Sequence, residues 1–413
     1  MAAQEAWIID TARTPRGIGK VGKGSLAHLH PQHLGATVLR ALAERNDLNT
    51  AEVDDVIWGT SSQRGKQGAD LGRMSLLLAD YDTAASGVTL DRFCGSGITS
   101  VNMAAASIMS GMEDCVIGGG CEMMSFTSST AQTGGGLLDA GNMALRDKHP
   151  QWHQGICADL IATLEGASRE DVDTIGYNSQ MRAKVAIEEG RFAKSVVPVY
   201  NEDGTVALDH DEFPRPQTTM EGLSQLPAVF ENFMPMPFDD TGETFDQLVK
   251  RSYPDVAINH MHHAGNSSGV VDGAGALLLA SPEYAKSQGW TPRAKIVAMA
   301  NAAGSPQLML NEPGPAARKV VKKAGMTLDD IDLFEINEAF AVVAWKFMRD
   351  LDLDPEKCNV NGGAIALGHP IGATGSILIG TVLDELERQD KSTGLVTMCA
   401  AGGMAPAIII ERV

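Results

Sequence analysis

Asp91-Arg92-Phe93-Cys94-Gly95-Ser96-Gly97 is the stretch that decides the fold. An apolar run reaches a lone cysteine and then Gly-Ser-Gly. Ile98, Val101, Met103, Ala104, Ala105 and Ile108 follow at helical spacing, so the pattern predicts a strand, a tight turn and a helix over 98–110. Cys94 then falls beside the first exposed N–H groups of that helix. Those donors and the positive end of the helix dipole favour a thiolate, below the roughly 8.5 of a free cysteine. Facing a cleft, such a residue is a nucleophile; facing inward, it is a small apolar filler.

The rest of the chain repeats the pattern. Glu52-Val53-Asp54-Asp55-Val56-Ile57-Trp58-Gly59 resembles Thr327-Leu328-Asp329-Asp330-Ile331-Asp332-Leu333-Phe334-Glu335, and Asp54 and Asp329 stand 275 apart (329 − 54). Cys94 and His369 stand 275 apart as well (369 − 94). His369 closes the Gly-rich run Asn361-Gly362-Gly363-Ala364-Ile365-Ala366-Leu367-Gly368-His369, ahead of a helix expected over 374–388. Val116 and Val396 are 280 apart (396 − 116), implying a second helix or loop about five residues longer. Segments 274–280 and 405–410 read as matching last strands. Two copies of an open β/α unit should pack about a pseudo-two-fold, and corresponding turns then meet at the axis. That gives Cys94 and His369 a reason to be a catalytic pair.

Composition bounds the function. The 413 residues are 44% hydrophobic and 21% charged, with a formal charge of −19 that disfavours nucleic acid and anionic membranes. No apolar run is long enough for a transmembrane helix, and 1–7 lacks a signal peptide's basic and apolar regions, so a cytoplasmic location is expected. The six scattered cysteines read as reduced thiols. Segment 17–25 nearly matches a phosphate loop, but Gly24 stands where a hydroxyl must bind magnesium, so it reads as a flexible loop. A helix is expected over 31–45, and another over 169–189 within a long insertion, 122–262, that also contains Gly134-Gly135-Gly136. Asn259-His260-Met261-His262-His263 has no cysteine or carboxylate at zinc-site spacing, so no metal is expected.

Five motifs together resemble the thiolases: Phe93-Cys94-Gly95-Ser96-Gly97; Gly265-Asn266-Ser267-Ser268-Gly269 with Asp272-Gly273-Ala274; Asn337-Glu338-Ala339-Phe340-Ala341; Gly363 to Pro370; and Cys399-Ala400-Ala401-Gly402-Gly403. The resemblance spans nearly the whole chain. It implies a duplicated five-layered α/β/α/β/α fold with an inserted loop domain: residues 1–121 plus 263–288 form the first half, 122–262 the insertion and 289–413 the second half. It also implies an acyl-CoA:acetyl-CoA C-acyltransferase acting on 3-ketoacyl-CoA in fatty-acid breakdown. Coenzyme A or acetyl-CoA would be co-substrate, with no permanently bound cofactor. A homodimer or homotetramer is implied, and a β-oxidation complex is a possible partner. The alternatives are a condensing ketoacyl synthase and a non-catalytic acyl-CoA carrier or complex subunit.

Carbon–carbon cleavage beside a thioester needs a nucleophile, its base, a second acid/base and donors for two oxyanions. Cys94 would take the acyl group, His369 its proton, and Cys399 would serve the α-carbon. By resemblance, Asn337 orients a water that joins His369 in one oxyanion hole. The N–H groups of Cys94 and Ala401 would form the other, with alanine at a position many relatives fill with glycine. Asn337 also suits a helix N-cap ahead of 338–348. The resemblance assigns coenzyme A contacts to Arg215, Leu226, Phe230, Ala264, Ser268, Ala339 and Phe340. An extra segment, 231–260, departs from the family pattern. With Phe233, Met234, Met236 and Phe238, it is expected to border the pantetheine tunnel or the acyl pocket.

Overall fold

The computed structural model describes residues 5–129 and 138–413, so Gly134-Gly135-Gly136 lies outside the described residues. One sheet runs through the molecule in two halves. In the first, Ser86–Leu90, Asp55–Gly59 and Cys115–Met123 are parallel neighbours, and Val271–Ala280 pairs antiparallel between Cys115–Met123 and Trp7–Arg13. In the second, Leu333–Ile336 and Thr393–Thr397 are parallel, followed by antiparallel Met404–Arg412 and Ala294–Ala303. The halves join where Trp7 and Ile8 pair with Lys295 and Ala294. Cys115–Met123 and Val271–Ala280 are buried along their whole length, which is why they read as apolar and glycine runs interrupted only by Glu122 and Asp272.

Helices make the other three layers. Pro31–Arg45 packs Leu34, Val38, Leu39 and Leu42 against Val56, Trp58 and Leu278 on one outer face. Pro313–Ala324 and Ala341–Leu351 cover the other, with Val320, Val342 and Phe347 on Ile336, Leu395 and Ile409. Helix Gln154–Glu165 of the insertion adds Ile156, Leu160 and Ile161 to that second core. Between the sheet halves lie Ser96–Ser110 and Thr374–Gln389, apolar on most sides because both sheets face them. Their core joins Ile98, Val101 and Ile108 to Ile379, Val382 and Leu383, closed by Ile57 and Leu277 from one half and Val396 and Ile408 from the other. Among the described residues no helix is long and apolar enough to cross a membrane.

The duplication is present, but its register differs from the sequence expectation. The partner of Asp54 is Asp332, not Asp329. Asp54 accepts from the N–H groups of Asp114 and Cys115, and Asp332 from those of Ser392 and Thr393. Both pairs give an offset of 278 (332 − 54 and 392 − 114), and the helix starts, Ser96 and Thr374, give the same value. The second unit is therefore not five residues longer. His369 is not the mirror image of Cys94; it lies on a longer turn, five residues ahead of its helix, whereas Cys94 lies two ahead.

The central helices meet at Gly97 and Gly375. A Cβ on Gly375 would stand 2.1 Å from the Ile98 nitrogen, and one on Gly97 2.8 Å from the Gly375 nitrogen. The clash is with backbone, which cannot swing aside. Gly375→Ala should destabilise the protein by about 1–3 kcal/mol, the cost of overpacking a rigid contact, and lower its thermal midpoint. An unchanged midpoint would show that the helices can part without cost.

Candidate active site

The turn that carries Cys94 is built by its neighbours. The Asp91 carboxylate accepts from Phe93 N–H at 2.6 Å. Ser96 Oγ accepts from Arg92 N–H at 2.8 Å and donates to the Phe93 carbonyl at 2.7 Å. These bonds hold Phe93 at φ +50°, a left-handed conformation unusual for a bulky residue and of a kind that concentrates at functional sites. Cys94, 9% exposed, then faces a cleft of about 250 Å³ lined by Ser61, Phe93, Leu138, Trp152, His153, Phe245, Met309, Ile371 and Ala401. Burial pushes its thiol up to about 12, and the carboxylates of Glu122 and Asp91 act in the same direction. The helix terminus does not win. Cys94 rests as a thiol, and the sequence expectation of a lowered pKa is corrected.

His369, on the turn ahead of the second central helix, has its imidazole fixed by a neighbour. Its Nδ1 lies 2.6 Å from Thr374 Oγ1, whose own hydrogen goes to the Pro370 carbonyl at 3.0 Å. The hydroxyl accepts, so Nδ1 carries the hydrogen and Nε2 keeps the lone pair. Burial, helped by the Arg16 guanidinium, lowers the imidazole to about 3, so His369 is neutral throughout the physiological range.

Asn337 Nδ2 stands 3.4 Å from His369 Nε2, and its Oδ1 is buried without a hydrogen-bond partner. Asn337 is not a helix cap, because the helix begins at Ala341 and its cap position is Phe340. Its backbone N–H donates instead to the Thr397 carbonyl at 3.2 Å, which ties it to the strand leading to Cys399. Cys399 is 1% exposed, and burial raises its thiol, with Cys94 close enough to add to the effect. Beyond it, Ala400 and Met404 exchange backbone hydrogen bonds around a loop closed by Gly402 (φ +79°) and Gly403 (φ +76°), which leaves Ala401 on the wall of the Cys94 cleft.

Arg215, Leu226 and Ala264 line a second cleft of about 190 Å³ with Gln180 and Phe213, over which the Arg215 guanidinium stacks at 5.3 Å. Phe230 touches His153 of the first cleft (5.4 Å) and Phe340 (5.7 Å). Ser268 N–H donates to the Ala339 carbonyl, fastening the 264–269 segment to the loop that carries Asn337.

Each histidine of the cluster is hydrogen-bonded to a carboxylate. His260 and His262 each hydrogen-bond one oxygen of Asp159 at 2.7 Å, and His263 bonds Asp173 at 2.9 Å. Among the described residues no group of three or more ligands could hold a metal ion. The 17–25 loop is anchored rather than loose, because Glu212 accepts from Ile18 N–H, Ser25 N–H and Ser25 Oγ.

Residues 6–233 match the N-terminal domain of thiolases and residues 290–412 their C-terminal domain. The chain belongs to the thiolase family. It is 37% identical to the β-ketoadipyl-CoA thiolase of Acinetobacter baylyi, over 99% of this chain and all of that one. It is 39% identical to the steroid 3-ketoacyl-CoA thiolase of Mycobacterium tuberculosis, covering 99% and 94%. Among solved structures it resembles human mitochondrial 3-ketoacyl-CoA thiolase, with a TM-score of 0.84, 32% identity and full coverage of both chains.

Sequence reasoning missed several residues of this thiolase site. Thr374 was visible only as the first residue of a helix, and its hydroxyl reaches His369 because the intervening turn folds back. Glu122 is fully buried and accepts from Ser61 N–H and Gly372 N–H, so it links the cleft wall to the His369 turn. The extra segment contributes Phe245 to the cleft, while Phe233 packs on His153 at 4.8 Å and Phe238 on Phe245 at 5.3 Å. Met236 is half exposed.

In this thiolase His369→Ala should slow alkylation of Cys94 by iodoacetamide at pH 7 by at least about 100-fold, the lower end for a lost general base. Without the imidazole, the rate should climb about tenfold per pH unit with no plateau near 8.5, since thiolate accumulates only toward about pH 12. Equal rates at pH 7 would remove His369 as the base, and a plateau near 8.5 would contradict the buried thiol.

Proposed function

We propose that this thiolase cleaves 3-ketoacyl-CoA, or runs the reverse condensation, through an acyl group held on Cys94. The observation that supports the reading is a buried Cys94 thiol and a neutral His369, its tautomer fixed by Thr374, on the turns ahead of two helices whose backbones touch at Gly97 and Gly375. The Cys94 proton passes to His369 Nε2 as sulfur attacks the 3-keto carbon. The C2–C3 bond then breaks, its electron pair forms the enolate of acetyl-CoA, and Cys399 protonates that carbon. Coenzyme A, its thiol proton taken by the Cys399 thiolate, next attacks the Cys94 thioester; the shortened acyl-CoA leaves, and His369 returns its proton to the Cys94 sulfur. A raised Cys399 suits this role, because an acid must hold its proton until the enolate forms. The unpartnered Asn337 Oδ1 suits a water oriented toward His369, and the N–H groups of Cys94 and Ala401 serve the second oxyanion.

The same reading places the coenzyme along Arg215, Leu226, Phe230, Ala264, Ser268, Ala339 and Phe340. Phe230 stands between His153 and Phe340, at 5.4 and 5.7 Å, which supports the part of that path nearest Cys94. It takes 1–121 plus 263–288 and 289–413 as the two halves, which the common offset of 278 supports, and 122–262 as the inserted domain. It assumes a homodimer or homotetramer in the cytoplasm.

Cys94→Ser should lose thiolysis by at least about 10³-fold, within the range seen when a nucleophile is removed, and should form no acyl-enzyme detectable by mass spectrometry. Cys399→Ala should still acylate Cys94 from a simple acyl-CoA but fail to exchange deuterium into the acetyl-CoA methyl group. Normal exchange in that variant would take Cys399 out of the mechanism.

A further inference from the structure

Among the described residues no charged side chain lines the Cys94 cleft, and the cations near it are turned away or paired; Arg16, whose charge is felt at His369, is buried beside Asp211, which accepts from its backbone N–H. Its apolar wall is Leu138, Trp152, Phe245 and Met309, and its polar members are Ser61, two glutamines and His153. Burial holds the His153 imidazole below its ordinary range, so it stays neutral. Gln151 keeps its Oε1 buried without a partner, and its amide can offer an anion a neutral donor but no charge.

Arg92, next to Phe93, donates to Asn301. Arg146 lies under Phe238 on the far side of Phe245 and is held by two carboxylates, Asp139 at 2.8 Å and Asp239 at 2.6 Å. Both aspartates are lowered by their bonds, so that group carries a net negative charge beside Leu138. Arg251 is paired to Glu243 and Asp147. Residues 130–137, preceding Leu138 in the chain, add no ionisable side chain to the sequence.

A carboxylate carried into such a cleft loses its water and finds no cation, and the acidic group behind the wall opposes it. A neutral chain of the same length meets neither penalty. We infer that this site selects 3-ketoacyl chains with an uncharged end and rejects those ending in a carboxylate. A 3-ketoadipyl chain ends in a carboxylate, so the inference separates this chain from its relatives named β-ketoadipyl-CoA thiolase. It rests on the thiolase reading of the Cys94 cleft and adds the substrate class.

The test compares three thioesters with the purified full-length protein: 3-ketohexanoyl-CoA, 3-ketoadipyl-CoA, and the terminal methyl ester of 3-ketoadipyl-CoA. The ester should stay within about tenfold of 3-ketohexanoyl-CoA in kcat/KM, and the free acid should fall at least about 100-fold below the ester, as for a charge buried without a partner. Acid and ester turned over alike would overturn the inference, whereas no turnover of any of the three would overturn the thiolase reading instead. A binding measurement keeps the two apart. Hexanoyl-CoA should protect Cys94 from iodoacetamide at a far lower concentration than adipyl-CoA, and equal protection counts against the selection. Leu138→Arg should raise the acid-to-ester ratio of kcat/KM by at least about tenfold; an unchanged ratio would show that the acyl end does not meet this wall.

Discussion

Two backbones touch at Gly97 and Gly375 with no side chain between them, and the site depends on that contact. Only there can the two helices that separate the sheet halves bring their N-termini together. Cys94 precedes one helix, His369 the other, and Glu122 fastens the Gly372 turn to Ser61 from below. A chain cannot reach this arrangement with one half alone, because the central core takes residues from both sheets at once.

The closeness that assembles the site also dries it. Both thiols and the imidazole are nine-tenths buried or more, and burial moves each toward its neutral form: the thiols up, the imidazole down. At rest, then, neither the thiols nor the imidazole carries a charge. Thr374 occupies Nδ1 and leaves Nε2 as the free acceptor of the His369 ring.

Much of this was legible in the chain. The strand, turn and helix around Cys94, the repeat, the Asn337, His369 and Cys399 motifs and the bounds of helices Pro31–Arg45 and Thr374–Gln389 follow from periodicity, punctuation and resemblance. What failed did so for identifiable reasons. Aspartates recur at both 329 and 332, so a pattern match could slip by three, and only the hydrogen bonds of Asp332 fix the register. Asn337 looked like a cap because its backbone use, toward Thr397, crosses between strands. The sign of the Cys94 shift was lost because a helix terminus is local information and burial is not. The cleft wall came last, assembled from segments as distant as Ser61, Leu138, Phe245 and Met309, each unremarkable in its own stretch.

The height of the Cys94 pKa has a consequence for durability. With burial raising the thiol, Cys94 holds little thiolate near neutral pH, and the thiolate is the form that peroxide and disulfides attack. Cys399, close by, is held protonated for the same reason. Two cysteines this close would ordinarily invite oxidation to a disulfide. Here the burial that raises both thiols disfavours the thiolate, and so works against oxidation for as long as the helices stay closed around them.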